Sequence, residues 1–271
     1  MKQAPELIGH EDIESYLRQC INNQTLAHAY CLHGPRGIGK TTLIDQLIPD
    51  ILGCDASRCP DYMLVAPEKG IISMQAIRDL KQWISRTPLQ SRKKVVVIQS
   101  AELMAEEPQN AFLKSLEEPA PYAHIFLLTS NAGRLLPTIL SRTVQLRFGL
   151  VPMSEMKKIT NDQEMIQMAH GRPGIAKNEN LQHDVALMRS LLEHSGPSER
   201  VRAWLSQNYS REDAYSSVPA LTLVLRERLM QETRPSVRKK IAQRIQTLQS
   251  ISGSEKRINW HLIIEHILIS V

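Results

Sequence analysis

The stretch Gly34-Pro35-Arg36-Gly37-Ile38-Gly39-Lys40-Thr41 fits the pattern G-x-x-x-x-G-K-[ST]. It lies between an apolar run, Ala27 to Leu32, and a run with helical periodicity, Thr42 to Ile48. A strand, a glycine-rich turn and a helix in that order make a phosphate-binding loop. The glycines admit backbone conformations that a Cβ forbids, so successive N–H groups converge on an anion that also faces a helix N-terminus. Gly34, Gly37, Gly39, Lys40 and Thr41 are therefore the expected nucleotide-binding residues. Lys40 would neutralise the β- and γ-phosphates, and the Thr41 hydroxyl would hold Mg²⁺. ATP or ADP is the expected ligand, with Mg²⁺ only as its companion.

The segments around this loop alternate between the two periodicities. Glu11 to Ile21 has the apolar spacing of an amphipathic helix with acids in its first turn, and Leu7 to His10 before it reads as a loop. Tyr62 to Pro67 reads as a strand, Ser73 to Trp83 as a capped helix, and Lys94 to Ile98 as a central parallel strand, being an unbroken β-branched run. Asn110 to Glu117 reads as a helix, His124 to Thr129 as a buried strand, and Thr143 to Phe148 as an edge strand. This rhythm predicts a three-layer α/β domain on a mostly parallel sheet. After Phe148 only helical patterns remain. Short stretches between Pro152 and Lys177 are interrupted by Thr160-Asn161-Asp162 and closed by Gly171-Arg172-Pro173-Gly174. Longer helices follow, Leu221 to Met230, Val237 to Ile251 and Trp260 to Leu268, with breaks at Gly196-Pro197, Arg234-Pro235 and Ser252-Gly253-Ser254. The predicted division is a P-loop domain over 1–150, a small helical lid over 151–179 and a helical domain over 180–271.

Composition limits the remaining classes. The 271 residues are 42% hydrophobic and 23% charged, an ordinary globular balance. The net charge of +5 is spread along the chain, compatible with an acidic partner, while three Phe and three Trp are too few for a stacking platform on single strands. The basic stretches Arg92-Lys93-Lys94 and Arg238-Lys239-Lys240 read as solvated faces. Met1 to His10 has no apolar core, and no run reaches the ~18 apolar residues of a membrane span, so a soluble cytoplasmic protein is expected. Cys20, Cys31, Cys54 and Cys59 lack the spacing of a disulfide framework and are read as reduced thiols.

Six segments carry a resemblance: LAHAYCLHGPRGIGKTTL, CPDYMLVAPEKGIISMQAIRDL, KKVVVIQSAELM, NAFLKSLEEPAPYAHIFLLTSN, LLPTILSRTVQLRF and GRPGIA. In order and spacing they resemble the AAA+ subunits of bacterial clamp loaders, over the N-terminal two thirds of the chain. The form GRPG resembles the delta-prime branch of that family, whereas the gamma/tau motors carry G-[ST]-x-R there. INWHLIIEHILI resembles the last helix of the family's collar. The resemblance implies a hetero-oligomer with gamma/tau and delta subunits that holds primed DNA within the complex and meets the sliding clamp indirectly. It also implies a collar domain, here 180–271, that makes the assembly. The holoenzyme so implied is a DNA-directed DNA polymerase, a nucleotidyltransferase, although this chain carries no polymerase motif.

The chain departs from the family's working ATPases at three places. A Walker B strand ends in Asp-Glu, but here Val95-Val96-Val97-Ile98 is followed by Gln99-Ser100. Gln99 offers only an amide oxygen and Ser100 is no base at neutral pH, so hydrolysis should be slower by ~10²–10⁴. Glu102 substitutes only if the backbone is unusual. The motor's sensor Arg falls at Gly174, and Arg172 is read as structural. Clamp loaders of this type carry four zinc cysteines after the P-loop helix, where this chain has only Cys54 and Cys59, so no zinc site is expected. Two further positions are singled out. Thr129, with Ser130 and Asn131 beyond it, is a candidate γ-phosphate sensor. Arg142, in Ser141-Arg142-Thr143, resembles the S-R-C arginine finger presented to a neighbour's ATP, Thr143 replacing the Cys. The reading is a non-motor, stator-like subunit. The alternatives are an autonomous P-loop ATPase or nucleotide kinase, and a gamma-like motor with a relocated acid.

Overall fold

The computed structural model describes residues 6–160, 163–177, 179–194, 196–207, 217–251 and 259–270. The expected breaks at Asn161-Asp162 and Ser252-Gly253-Ser254, and the position Asn178, lie outside the described residues. The chain forms two compact units, one of residues 1–159 with 171–174, the other of residues 160–170 with 175–271.

The first unit is built on five parallel strands: β1 (Ala29–His33), β2 (Tyr62–Val65), β3 (Lys94–Ile98), β4 (Ala123–Thr129) and β5 (Val144–Arg147), in the order β2-β3-β4-β1-β5. Strand character follows burial. β3 and β4 are buried at every position and, apart from Lys94 and His124, are apolar or β-branched, as expected of central strands covered on both faces. β5 alternates between half-buried and exposed, which suits its place at the edge. In register, Ala29 faces Ile125 across β1 and β4, and Val96 faces Ile125 across β3 and β4.

Successive strand residues point to opposite faces, so two helical layers are served. Cys31, Val96, Ile98, Ile125 and Leu127 pack with Ile77 and Leu80 of α3 (Met74–Ile84), Phe112 and Leu116 of α4 (Glu106–Glu117), and Ile139 of α5 (Pro137–Leu140). The other face meets α2 (Lys40–Leu52), in which Leu43, Ile44, Leu47 and Ile48 are fully buried, about 2 kcal/mol apiece of apolar transfer. α1 (Glu11–Asn22) lies against α2, and Arg18 joins Glu14 and Asp50 across them. The Ser73 hydroxyl caps α3 by accepting the Ala76 N–H at 3.1 Å.

Three expectations need correction. α4 begins at Glu106 rather than Asn110, because Pro108 sits in the first turn, where its missing N–H is not needed, and Glu106 and Glu107 face the positive helix end. Lys94 is not on a solvated face: it is 2% exposed, and its ammonium donates to the Trp83 carbonyl at 2.7 Å and lies 4.1 Å above the Trp83 ring. Cys54 and Cys59 are not reduced thiols but a disulfide, since the turn at residues 55–58 brings their Cα atoms to 6.0 Å; Cys20 and Cys31 are free.

Beyond β5 lie the short helices α6 (Met153–Met156), α7 (Gln163–Ala169) and α8 (Pro173–Ala176). The second unit contains α9 (Glu179–Glu193), α10 (Pro197–Leu205), α11 (Val218–Gln231), α12 (Pro235–Ile251) and α13 (Trp260–Ser270). Its own core is formed by Met188, Trp204, Leu221, Leu225, Ile241, Trp260, Ile264 and Leu268. Among the described residues no helix is long and apolar enough to cross a membrane.

Candidate functional site

The loop between β1 and α2 is shaped by its glycines. Gly34, Gly37 and Gly39 have φ of 154°, 75° and 110°. A Cβ on Gly34 would stand 2.4 Å from the Phe148 carbonyl oxygen, and one on Gly39 3.0 Å from Leu7. Gly34 therefore needs glycine for space as well as for backbone angle, and Gly39 chiefly for its angle. The Gly34 N–H donates to the Thr129 carbonyl at 3.2 Å, so the first residue of the loop is tied to the tip of β4.

Lys40 opens α2 and is 9% exposed. Its ammonium donates to the loop's own carbonyls, Gly34 O at 2.5 Å and Pro35 O at 2.8 Å. Burial pushes it down to about 8, opposed by Glu102 and assisted by Arg36. Thr41 is exposed at the first turn of α2. The five predicted loop residues thus lie together on one glycine-rich turn with Lys40 at the N-terminus of α2, the setting in which backbone N–H groups and a helix end favour an anion.

Gln99 and Ser100 stand at the end of β3, both half-buried, and the Gln99 N–H donates to the Val65 carbonyl at 2.9 Å. Ser100 takes φ 50°, ψ 49°, a left-handed conformation uncommon for a residue with a Cβ. The turn it makes carries Glu102 into the site. The side chain is 4% exposed; Oε1 accepts the Ser130 hydroxyl at 2.5 Å and Oε2 the Ser130 N–H at 3.2 Å. Burial would raise this carboxyl, but the Ser130 and Thr129 side chains and the Ser130 N–H hold it below the usual carboxylate range. Arg36 of the loop stands 4.0 Å from Oε1. Thr129 is fully buried and its Oγ1 accepts the Asn131 N–H at 3.1 Å.

Two contacts have no counterpart among the sequence expectations. Gly174 donates its N–H to the Gly37 carbonyl at 2.7 Å, and a Cβ there would stand 3.0 Å from that oxygen. The position that the resemblance gives to the motors' sensor Arg is here a glycine whose backbone touches the phosphate loop. The Leu7 to His10 loop also meets the site. Leu7 lies over Gly39, and the His10 ring, at φ 63°, lies 4.6 Å from Phe148 with its imidazole pKa lowered by burial. A glycine at 174 and a glycine-histidine pair before α1 are the available signals, and neither specifies a contact unaided.

Beside Gly34 is a cavity of about 330 Å³, lined by His33, Pro35, Ser130, Asn131, Arg147 and Leu150 among others. Burial, Arg147 and Lys40 lower the His33 imidazole, so it is neutral at neutral pH. Arg142 follows α5. Its guanidinium, 36% exposed, pairs with Glu117 at 2.8 Å and donates to the Thr138 carbonyl at 3.0 Å. Among the described residues no group of three or more His, Cys, Asp or Glu is placed to hold a metal ion.

A parallel sheet in this order, a phosphate loop after β1 and a β4 tip bonded to that loop define a P-loop protein of the AAA+ type. Residues 9–151 match the family described as DNA polymerase III, delta subunit, and the chain belongs to that family. It is 37% identical to the DNA polymerase III subunit delta' of Pseudomonas aeruginosa, across 44% of this chain and 42% of the relative. It is 33% identical to the subunit of the same name from Bacillus subtilis, across 49% and 45%. The chain thus spans less than half the length of these relatives. A crystal structure of a DNA polymerase III gamma subunit-related protein from Thermotoga maritima shares the fold. Its TM-score is 0.65 at 21% identity, covering 94% of this chain and 97% of that one.

Proposed function

We propose that the protein is a delta-prime-like stator subunit of a bacterial clamp loader, working in the cytoplasm with gamma/tau and delta subunits to place a sliding clamp on primed DNA. The observation that carries the reading is an intact phosphate loop beside a strand that is followed by Gln99-Ser100 in place of two acids. Gly34, Gly37, Gly39 and Lys40 would hold the phosphates of ATP or ADP, with Mg²⁺ brought by the nucleotide and met by the exposed Thr41 hydroxyl. Neither Gln99 nor Ser100 can take a proton from water at neutral pH, and Glu102 has both oxygens engaged by Ser130. Binding and turnover therefore come apart. Thr129 supports the loop through its carbonyl and is kept as the candidate sensor position. Arg142 is assigned to a neighbour's site, where an always-charged planar fork would offset charge spreading over a transferring phosphoryl group.

Calorimetry and phosphate release on the isolated chain test this. Nucleotide should bind the wild type and bind Lys40→Ala at least tenfold more weakly, by about the loss of one charged phosphate contact. Steady phosphate release should be absent above background. Turnover at a motor's rate would favour the autonomous ATPase instead.

A further inference from the structure

Glu102 is a charge in the phosphate site that the stator role leaves unused. β3 ends at Ile98, Gln99 and Ser100 follow, and the left-handed Ser100 sends the chain back so that Glu102 turns toward the tip of β4. Its carboxylate is pinned there by the hydroxyl and N–H of Ser130, at 2.5 and 3.2 Å, with Arg36 of the phosphate loop 4.0 Å away. A carboxylate with 4% of its surface exposed stays fixed in place because water cannot replace these partners. Lys40, the residue that would meet the β- and γ-phosphates, lies within the field of the same carboxylate.

We propose that Glu102 is a specificity-determining residue, setting a preference for a nucleoside diphosphate over a triphosphate by placing fixed negative charge at the terminal-phosphate end of the loop. The inference rests on the loop being a nucleotide site. A diphosphate leaves the Glu102 charge balanced by Arg36 and Lys40. A triphosphate adds negative charge on the same side, where the surrounding protein screens less than bulk water does. An acid at the usual Walker B place would reach outward to the ligand's metal and water, whereas this one is held from behind by Ser130 and acts through its charge.

The test is the affinity of the full chain for ADP and for ATP, read by calorimetry in the presence of a chelator so that no divalent ion masks the charge. Wild type, Glu102→Gln and Glu102→Asp are compared, each checked for a folded thermal melt. The amide of Glu102→Gln keeps an acceptor for Ser130 and loses the charge; Glu102→Asp keeps the charge and shortens the reach. Wild type and Glu102→Asp should bind ADP more tightly than ATP. Glu102→Gln should tighten ATP by roughly tenfold and ADP by less than about threefold, the size expected for one partly screened charge pair. Wild type preferring ATP would overturn the inference whatever the variants do. So would an unchanged ADP-to-ATP ratio in Glu102→Gln, and in both cases the nucleotide site itself would stand. If none of the three chains binds either nucleotide, the reading of the loop falls as well.

Discussion

Lys40 is held between the carbonyls of its own loop and the charges of Arg36 and Glu102, and this fixes how the site responds to pH. Burial depresses its folded pKa to about 8, below the ordinary value of 10.5. Between those two values the unfolded chain keeps a proton that the folded chain has shed. The stability contributed by this group therefore rises with pH in that window and is lost as the pH falls through about 8. Phosphate binding has the opposite demand, because it needs the ammonium. Nucleotide affinity should fall as the pH rises past about 8, by up to ~10-fold per unit, with binding taking up close to one proton at about pH 9 and progressively less as the pH falls below about 8. Calorimetry in buffers of different ionisation enthalpy reads this uptake directly, and a pH-independent affinity with no proton uptake would contradict it. The loop's backbone was legible because a short glycine motif between a strand and a helix sets its conformation. Glu102 was legible only as a condition on an unusual backbone, since no residue type at position 100 announces a left-handed serine.

At the scale of elements, Asp61 decides how β3 is delivered to the sheet. It is fully buried, and its carboxylate accepts the N–H groups of Leu89, Gln90 and Ser91, each at 2.7 Å, just before the strand begins. Burial raises its pKa, and the three N–H donors with Lys94 outweigh it, so the folded value lies below the ordinary 3.8. Its stabilisation is complete at neutral pH and is lost as the pH falls through that depressed value. Asp61→Ala should cost about 3 kcal/mol at pH 7, three donors being left without an acceptor, and the difference from wild type should shrink in acid. Urea melts at several pH values measure both, and a loss under about 1 kcal/mol would mean water replaces the carboxylate. The strands and helices of the first unit were legible because apolar periodicity separates a five-residue buried strand from an amphipathic helix. The Lys94 ammonium and the Cys54–Cys59 bridge were not, because the first depends on Trp83, distant in sequence but adjacent in space, and the second on a turn of the connecting loop.

At the scale of the molecule, each of the two units has its own core, one of sheet and helices, the other of helices around Trp204 and Trp260. The first was legible as an architecture, since alternating strands and helices permit few parallel sheets. The second was legible only as a set of helices, because an apolar stripe fixes that a helix is covered and not by which partner. In the proposed role this chain has given up turnover and completes another subunit's site. The decisive measurement is the clamp-loading rate of a complex reconstituted from this chain with gamma/tau and delta subunits, comparing wild type with Arg142→Ala. Removing an exposed ion pair to Glu117 should cost the fold no more than about 1 kcal/mol, so both versions should assemble. The Arg142→Ala complex should load clamps more slowly, hydrolysis at the one adjoining site falling by up to ~10³-fold. Failure of the wild-type chain to join the complex, or loading by the Arg142→Ala complex at the wild-type rate, would contradict it.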